Sequence, residues 1–303
     1  MNIRNCVGVA LCSAVFLGSF LLVGGIAMYW NLAAFLVVFS GLAAAVLLSY
    51  PFDRVQCAVK VAKNAYLSRP AAPEDMVRTL LDLSVRSRVK GVLSLEKLGA
   101  DKLGAHADRT FLQNGVNFLV DNYKEEEIRD FLGTEMAFFA IRRRHSERVF
   151  QTMARIAPAF GLAGSVIGLI GLLMGINDTA VILQSIPVAF ISTLYGVVLS
   201  NLVFAPIAEN IHFTTSLELL NQKLVMEGII AISREQNPFK LERKLASFLT
   251  PSARSGYSSI LREITRKYIR EKRGEAAVET LAAADTVQAG ASALREVMLH
   301  QAS

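Results

Sequence analysis

Two stretches of this chain place small and hydroxylated residues at helical spacing within otherwise apolar sequence. In the first, Ala157, Gly161, Gly164, Gly168, Gly171 and Gly175 recur at alternating intervals of four and three, with Ser165 at the border of the face they form. In the second, Ala189, Ser192, Thr193, Gly196 and Ser200 make a matching face. Helices in lipid gain little by hiding apolar surface from each other, so a stripe of small residues lets two backbones approach closely. Two uses fit the spacing. One is tight packing, with each hydroxyl bonded back to a carbonyl one turn earlier. The other is a wet ion path, where hydroxyl oxygens help an ion shed part of its water.

What these stretches lack narrows the chemistry. No Asp, Glu, Lys, Arg or His lies inside the apolar segments; Asp178 falls in the hairpin between the two stretches, and Arg155 and Glu209 at their far ends. A proton or sodium path ordinarily passes an ionisable group within the membrane. If this protein moves ions, another chain must bring that carboxylate, and the same absence argues against a self-sufficient pump. The chain has no Walker loop and no catalytic serine or cysteine constellation, which argues against an enzyme. Its three cysteines form neither metal-ligand spacing nor an even disulfide framework and read as small packing residues, so no metal and no cofactor are expected.

The elements that hold these residues follow from hydropathy. Of 303 residues, 52% are hydrophobic and 19% charged, too apolar for an ordinary soluble protein. No charge occurs between Arg4 and Asp53, which is room for two crossings of about 20 residues each. Gly24, Gly25, Tyr29, Trp30 and Asn31 mark the break, placing spans near 6–27 and 32–51. A second apolar block, Ile156 to Ala208, is interrupted by Asn177, Asp178, Thr179 and Pro187, and also splits in two. All basic residues except Arg4 and Arg155 lie in the intervening segments. The positive-inside rule then puts both termini in the cytoplasm of a multi-pass inner-membrane protein. The net charge of +6 reflects topology and contact with lipid headgroups, not nucleic-acid binding. Arg4 and Cys12 imitate a signal peptide or lipoprotein box, but Leu11 is too bulky for a processing site and the apolar run is too long.

The expected fold is all-α: four transmembrane helices, a helical cytoplasmic loop and a helical C-terminal tail. The expected divisions are a transmembrane hairpin at 1–52, a cytoplasmic helical domain at 53–153, a pore-forming hairpin at 154–209, and C-terminal helices and tail at 210–303. Within the loop, helices are expected at Val55 to Leu67, Pro73 to Arg86, Leu93 to Lys102, Asp108 to Tyr123, and Glu125 to Thr152, the last running on into the third span. Pro73, Glu74 and Asp75 have the composition of a helix start. Beyond the turn at Thr250, Pro251 and Ser252 the chain becomes basic and then Ala-rich, like a solvated or partner-seeking extension.

The segments APAFGLAGSVIGLIGLL (157–173), IPVAFISTLYGVVLSNLVFAPIAENI (186–211) and RSRVKGVLSLEK (86–97) together resemble the MotA/PomA flagellar stator subunits. Four spans with the large loop after the second fit as well, and the resemblance covers about residues 1 to 245. The related ExbB and TolQ subunits, energisers of outer-membrane processes, share the two-span pore unit but usually have one span ahead of the large loop. A passive membrane scaffold is the alternative of another class. The resemblance implies a ring of five such chains around a MotB/PomB-like partner that carries the membrane aspartate. It implies a channel that turns proton or sodium motive force into torque on a FliG-like rotor protein in flagellar motility and chemotaxis. It puts Ser165 and Thr193 on the ion path, and Arg88, Lys90 and Glu96 at the rotor interface, where a charge run would otherwise be a solvated helix face. Pro158 and Pro206 become sites of conformational coupling instead of simple helix punctuation. Gly161, Gly164, Gly168, Gly171 and Gly175 serve helix packing.

Overall fold

The computed structural model describes residues 8, 11–12, 14–16, 18–19, 22, 26–67, 71–98, 108–234, 237–250, 262–266 and 268, with backbone alone at 26–27, 96–98 and 108–109. All regular structure among them is helical. The α-helices are α1 (Leu32–Ser49), α2 (Phe52–Leu67), α3 (Pro73–Lys90), α4 (Asp108–Val120), α5 (Glu125–Met174), α6 (Thr179–Val198), α7 (Ala205–Ser233) and α8 (Pro238–Ala246). Short 3-10 turns occupy Ile26–Tyr29 and Val92–Leu98, and a π-helix, Leu199–Phe204, joins α6 to α7. Three of these helices are long and apolar enough to cross a membrane: α1, α5, and the run Thr179–Ser233. Half of the span expected at 6–27 lies outside the described residues, and those described between 8 and 22 are helical.

The chain forms two compact units. One comprises Met1–Pro70 with Glu135–Leu219, the other Ala71–Thr134 with Leu220–Ser303. In the first, α1 packs against α6. Its core gathers Leu42 and Val46 of α1, Ala58 and Ala62 of α2, Val149, Phe150 and Ala157 of α5, and Ala208 and Ile211 of α7. Helix starts follow local chemistry. Asn31 caps α1 by accepting from the Ala34 amide (2.9 Å), and Asp178 caps α6 by accepting from the Ala180 amide (2.8 Å). Glu127 accepts from the Lys124 amide (2.9 Å), half of a capping box at the head of α5.

Two prolines behave differently from simple punctuation. The apolar block 156–208 breaks only at residues 175–178, while Pro187 is carried inside α6 and Pro158 inside the uninterrupted α5. A membrane helix absorbs a proline when neighbours satisfy the carbonyl it leaves without a donor. The helix expected at Leu93 to Lys102 is the 3-10 turn Val92–Leu98, and the rest of that stretch lies outside the described residues.

The second unit has a core of its own, including Leu80 and Leu81 of α3, Leu112 of α4, Ile229 and Ile230 of α7, and Leu241 of α8. Burial here coexists with charge. Glu227, 8% exposed, accepts from Lys244 (2.5 Å) and pairs with Lys223 (3.3 Å) and Arg129 (3.7 Å). Burial opposes its ionisation, but the hydrogen bonds and charges of Lys244 and Lys223 prevail and hold its pKa below the usual 4.5. Arg129 also reaches Glu125, which pairs with Arg234. Residues 262–266 dock on the same unit. The Tyr268 hydroxyl donates to Asp82 of α3 at 3.1 Å, and burial, then the Asp82 charge, pushes the phenol pKa up.

Candidate functional site

Glycine determines how closely α5 and α6 meet. A Cβ placed on Gly168 would stand 2.6 Å from the Ala189 nitrogen and 2.8 Å from its Cα; one on Gly161 would stand 3.0 Å from the Ser192 carbonyl oxygen. From the other side, a Cβ on Gly196 would lie 2.7 Å from the Ala157 carbonyl oxygen and 3.0 Å from the Gly161 Cα. Gly164 faces the Ser192 side chain, Gly171 faces Ser185, and Gly175 faces Val181 near the hairpin. The whole stripe therefore faces α6 of the same chain. The opposite side of α5 exposes Leu162, Val166, Leu169, Ile170 and Leu173, an apolar surface suited to lipid or neighbouring helices.

This close approach brings the hydroxyls together. Ser165 donates to the Ala189 carbonyl, and the Ser165 and Thr193 oxygens are 2.5 Å apart. With the serine hydrogen committed to Ala189, the Thr193 hydroxyl donates to Ser165, making a short relay from α6 to α5 and back. Both residues are half-buried and retain oxygen lone pairs. The Ser192 hydroxyl instead bonds back to the Val188 carbonyl (2.6 Å), the ordinary packing habit of a helical serine. On α6, Ser192 thus bonds back along its own helix while Thr193 reaches across to α5. Beside them, an open cleft of about 660 Å³ is lined by Asn31, Val37, Gly168, Gly171, Gln184 and Ser185 among others.

Tyr195 is a residue the spacing argument missed. Its hydroxyl donates to the Tyr29 carbonyl (2.6 Å) and accepts from the Asn31 amide (3.1 Å), pinning α6 to the start of α1, while Phe35 meets its ring edge-on. The only local signal was a polar-tipped aromatic two residues beyond Thr193. A second missed feature is the pair of Arg143 on α5 and Glu218 on α7 at 2.7 Å, with side chains 13% and 7% exposed. Phe139 holds the guanidinium over its ring at 5.1 Å. Pro206 lies in the first turn of α7, directly after the π-helix.

Arg88 and Lys90 occupy the last turn of α3, where the helix dipole favours cations. The helix stops at Gly91, whose φ of +82° is a conformation that glycine adopts without strain. Ser94 then closes a turn onto the Gly91 carbonyl through its amide (3.2 Å) and hydroxyl (2.6 Å). The backbone of Glu96 comes next in the 3-10 turn, while its side chain lies outside the described residues. The α3 terminus and this turn pack together, so the three charged positions belong to one corner of the second unit.

Residues 104–223 match the MotA/TolQ/ExbB proton channel family. The chain is 29% identical over 255 residues to the chemotaxis protein PomA of Vibrio alginolyticus, covering 84% of this chain and 98% of that protein. It is 31% identical over 235 residues to motility protein A of Borreliella burgdorferi, covering 78% and 88% of the two. Its fold matches a MotAB structure from C. jejuni with a TM-score of 0.73, at 24% identity, over 83% of this chain and 97% of that one. On the glycine-tight hairpin and these relatives together, the chain belongs to the MotA/PomA side of the MotA/TolQ/ExbB proton channel family.

Proposed function

We propose that this chain is the A subunit of a flagellar stator, a channel component and not an enzyme, which joins a MotB-like partner to convert ion motive force into torque. One observation carries the reading: the Ser165–Thr193 hydroxyl relay sits at a glycine-tight helix contact in segments without any ionisable residue. Oxygen ligands without a fixed charge suit a hard cation or a proton relay only beside a carboxylate, which the partner's membrane aspartate supplies. Ion binding would neutralise that charge in a low-dielectric setting and change which A subunit it prefers. An elementary charge crossing 100 mV gains about 2.3 kcal/mol, enough to bias a step. In this reading five copies surround the partner in the inner membrane, with both termini cytoplasmic. The corner bearing Arg88, Lys90 and Glu96 meets a FliG-like rotor protein, and the basic flanks of the spans contact lipid headgroups.

Copurification with the MotB-like partner, followed by imaging of the ring, tests the assembly. For the rotor interface, Arg88→Glu or Glu96→Lys should weaken or abolish torque while the complex still inserts and assembles. Coupling across a solvated interface amounts to about 0.5–2 kcal/mol and weakens with salt. Normal motility with both reversals would remove the interface assignment.

A further inference from the structure

Pro158 has no N–H to offer the carbonyl of Ala154, one turn earlier in α5. That carbonyl belongs to a half-buried residue at the end of the span and needs another donor. The Ala154 carbonyl accepts instead from the hydroxyl of Ser200, at 2.6 Å. Ser200 is 7% exposed and lies in the π-helix Leu199–Phe204. A helical serine ordinarily bonds back along its own helix, as Ser192 does on α6. Ser200 reaches across because Gly161 and Gly196 let the two backbones touch one turn away. Its carbonyl meanwhile accepts from the Ala205 amide, closing the π-turn, and Pro206 withholds the next donor. One residue thus holds both irregularities: its side chain serves the proline turn of α5, and its backbone serves the π-turn.

We infer that Ser200 is a positioning residue whose hydroxyl replaces the donor missing at Pro158 and fastens the π-turn to α5, so that the two turns move together during ion-driven stepping. The last clause rests on the channel reading above. A π-turn accommodates one more residue per hydrogen-bonded ring than an α-turn, so its conversion to α would rotate α7 relative to α6 by about 100°. The Ser200 bond opposes that conversion and ties it to the state of α5.

The test is a double-mutant cycle on the assembled complex, using Ser200→Ala, Pro158→Ala and both together. Pro158→Ala restores an amide for the Ala154 carbonyl, which makes the serine hydroxyl redundant. Ser200→Ala alone should speed hydrogen exchange of the amides at 201–205 about tenfold, as one lost hydrogen bond does. It should also lower maximal motor speed at fixed membrane potential without shifting the ion concentration for half-maximal speed. In the Pro158→Ala background it should add nothing to exchange. Equal acceleration in both backgrounds overturns the inference, as does wild-type speed in Ser200→Ala. If Ser200→Ala fails to accumulate, its rescue by Pro158→Ala supports the bond and absence of rescue overturns it. If the exchange cycle holds while the wild-type complex drives no rotation, the channel reading falls and the link between the two turns stands.

Discussion

At the scale of single residues, the Ser165 and Thr193 hydroxyls form a coupled pair, with Ser165 committed to the Ala189 carbonyl and Thr193 to Ser165. Removing either disturbs the other, so substitutions at the two sites should not add. If sodium is carried, Ser165→Ala and Thr193→Ala should each raise the sodium needed for rotation. The double mutant should then be little worse than the worse single one, and Ser165→Thr should keep the function. Motor speed against sodium at constant pH and membrane potential checks this. A wild-type speed indifferent to sodium assigns the proton instead, and full speed in the double mutant takes both residues off the path. The resemblance to the stator subunits singled out both residues, while spacing alone placed Ser165 at the border of one small-residue face and Thr193 within another beside Ser192 and Ser200, without pairing them. Tyr195 was not, because its partners, Tyr29 and Asn31, lie at the other end of the hairpin bundle in sequence.

At the scale of elements, the glycines of α5 differ in what stands opposite them, and that difference ranks their substitution. Gly168 faces the backbone of Ala189, which cannot move aside, whereas Gly171 faces the Ser185 hydroxyl, which can turn away. Gly168→Ala should therefore cost about 1–3 kcal/mol of hairpin stability, the usual range for overpacking, and Gly171→Ala much less. Gly168→Leu or Gly164→Leu should prevent a stable α5–α6 pair, and with it the assembled ring. Thermal midpoints of the detergent-solubilised chain give the order; equal midpoints for Gly168→Ala and Gly171→Ala would contradict the packing described. The stripe itself was readable from its spacing. Its partner was not, because a small-residue face is equally competent against a helix of the same chain or of another.

At the scale of the whole molecule, the second unit carries a titratable stability that the sequence conceals. The pKa of Glu227 is lowered from 4.5, burial being outweighed by Lys244 and Lys223. Its ionised form thus stabilises the folded unit above pH 4.5, and that contribution fades as pH falls through the lower folded-state value. Glu242 has the opposite sign: burial raises its pKa, with Arg262 and Arg243 offsetting this only in part. Its ionisation destabilises the folded unit as pH rises above 4.5, so Glu242→Gln should raise the thermal midpoint at neutral pH and change little in acid. Glu227→Gln should lower the midpoint at neutral pH and also lose its effect in acid. Melting of the two variants at pH 7 and below pH 4 checks both signs, and a pH-independent difference for either would remove its assignment.

Hydropathy and periodicity are local properties, and they were enough to identify a helical membrane protein, a hairpin turn expected at 177–179 and found at 175–178, its small-residue faces and the absence of an internal carboxylate. They also placed the helix beginning at Pro73 and the continuity of α5 from loop into span. Pairings between distant residues depend on three-dimensional approach, and only the tertiary structure decided those. It turned the glycine stripe toward α6 of the same chain, joined Arg143 to Glu218, and set Ser200 against the carbonyl that Pro158 leaves without a donor. A proline in sequence announces a missing hydrogen bond, but whether the helix breaks there depends on whether some other part of the fold supplies the donor.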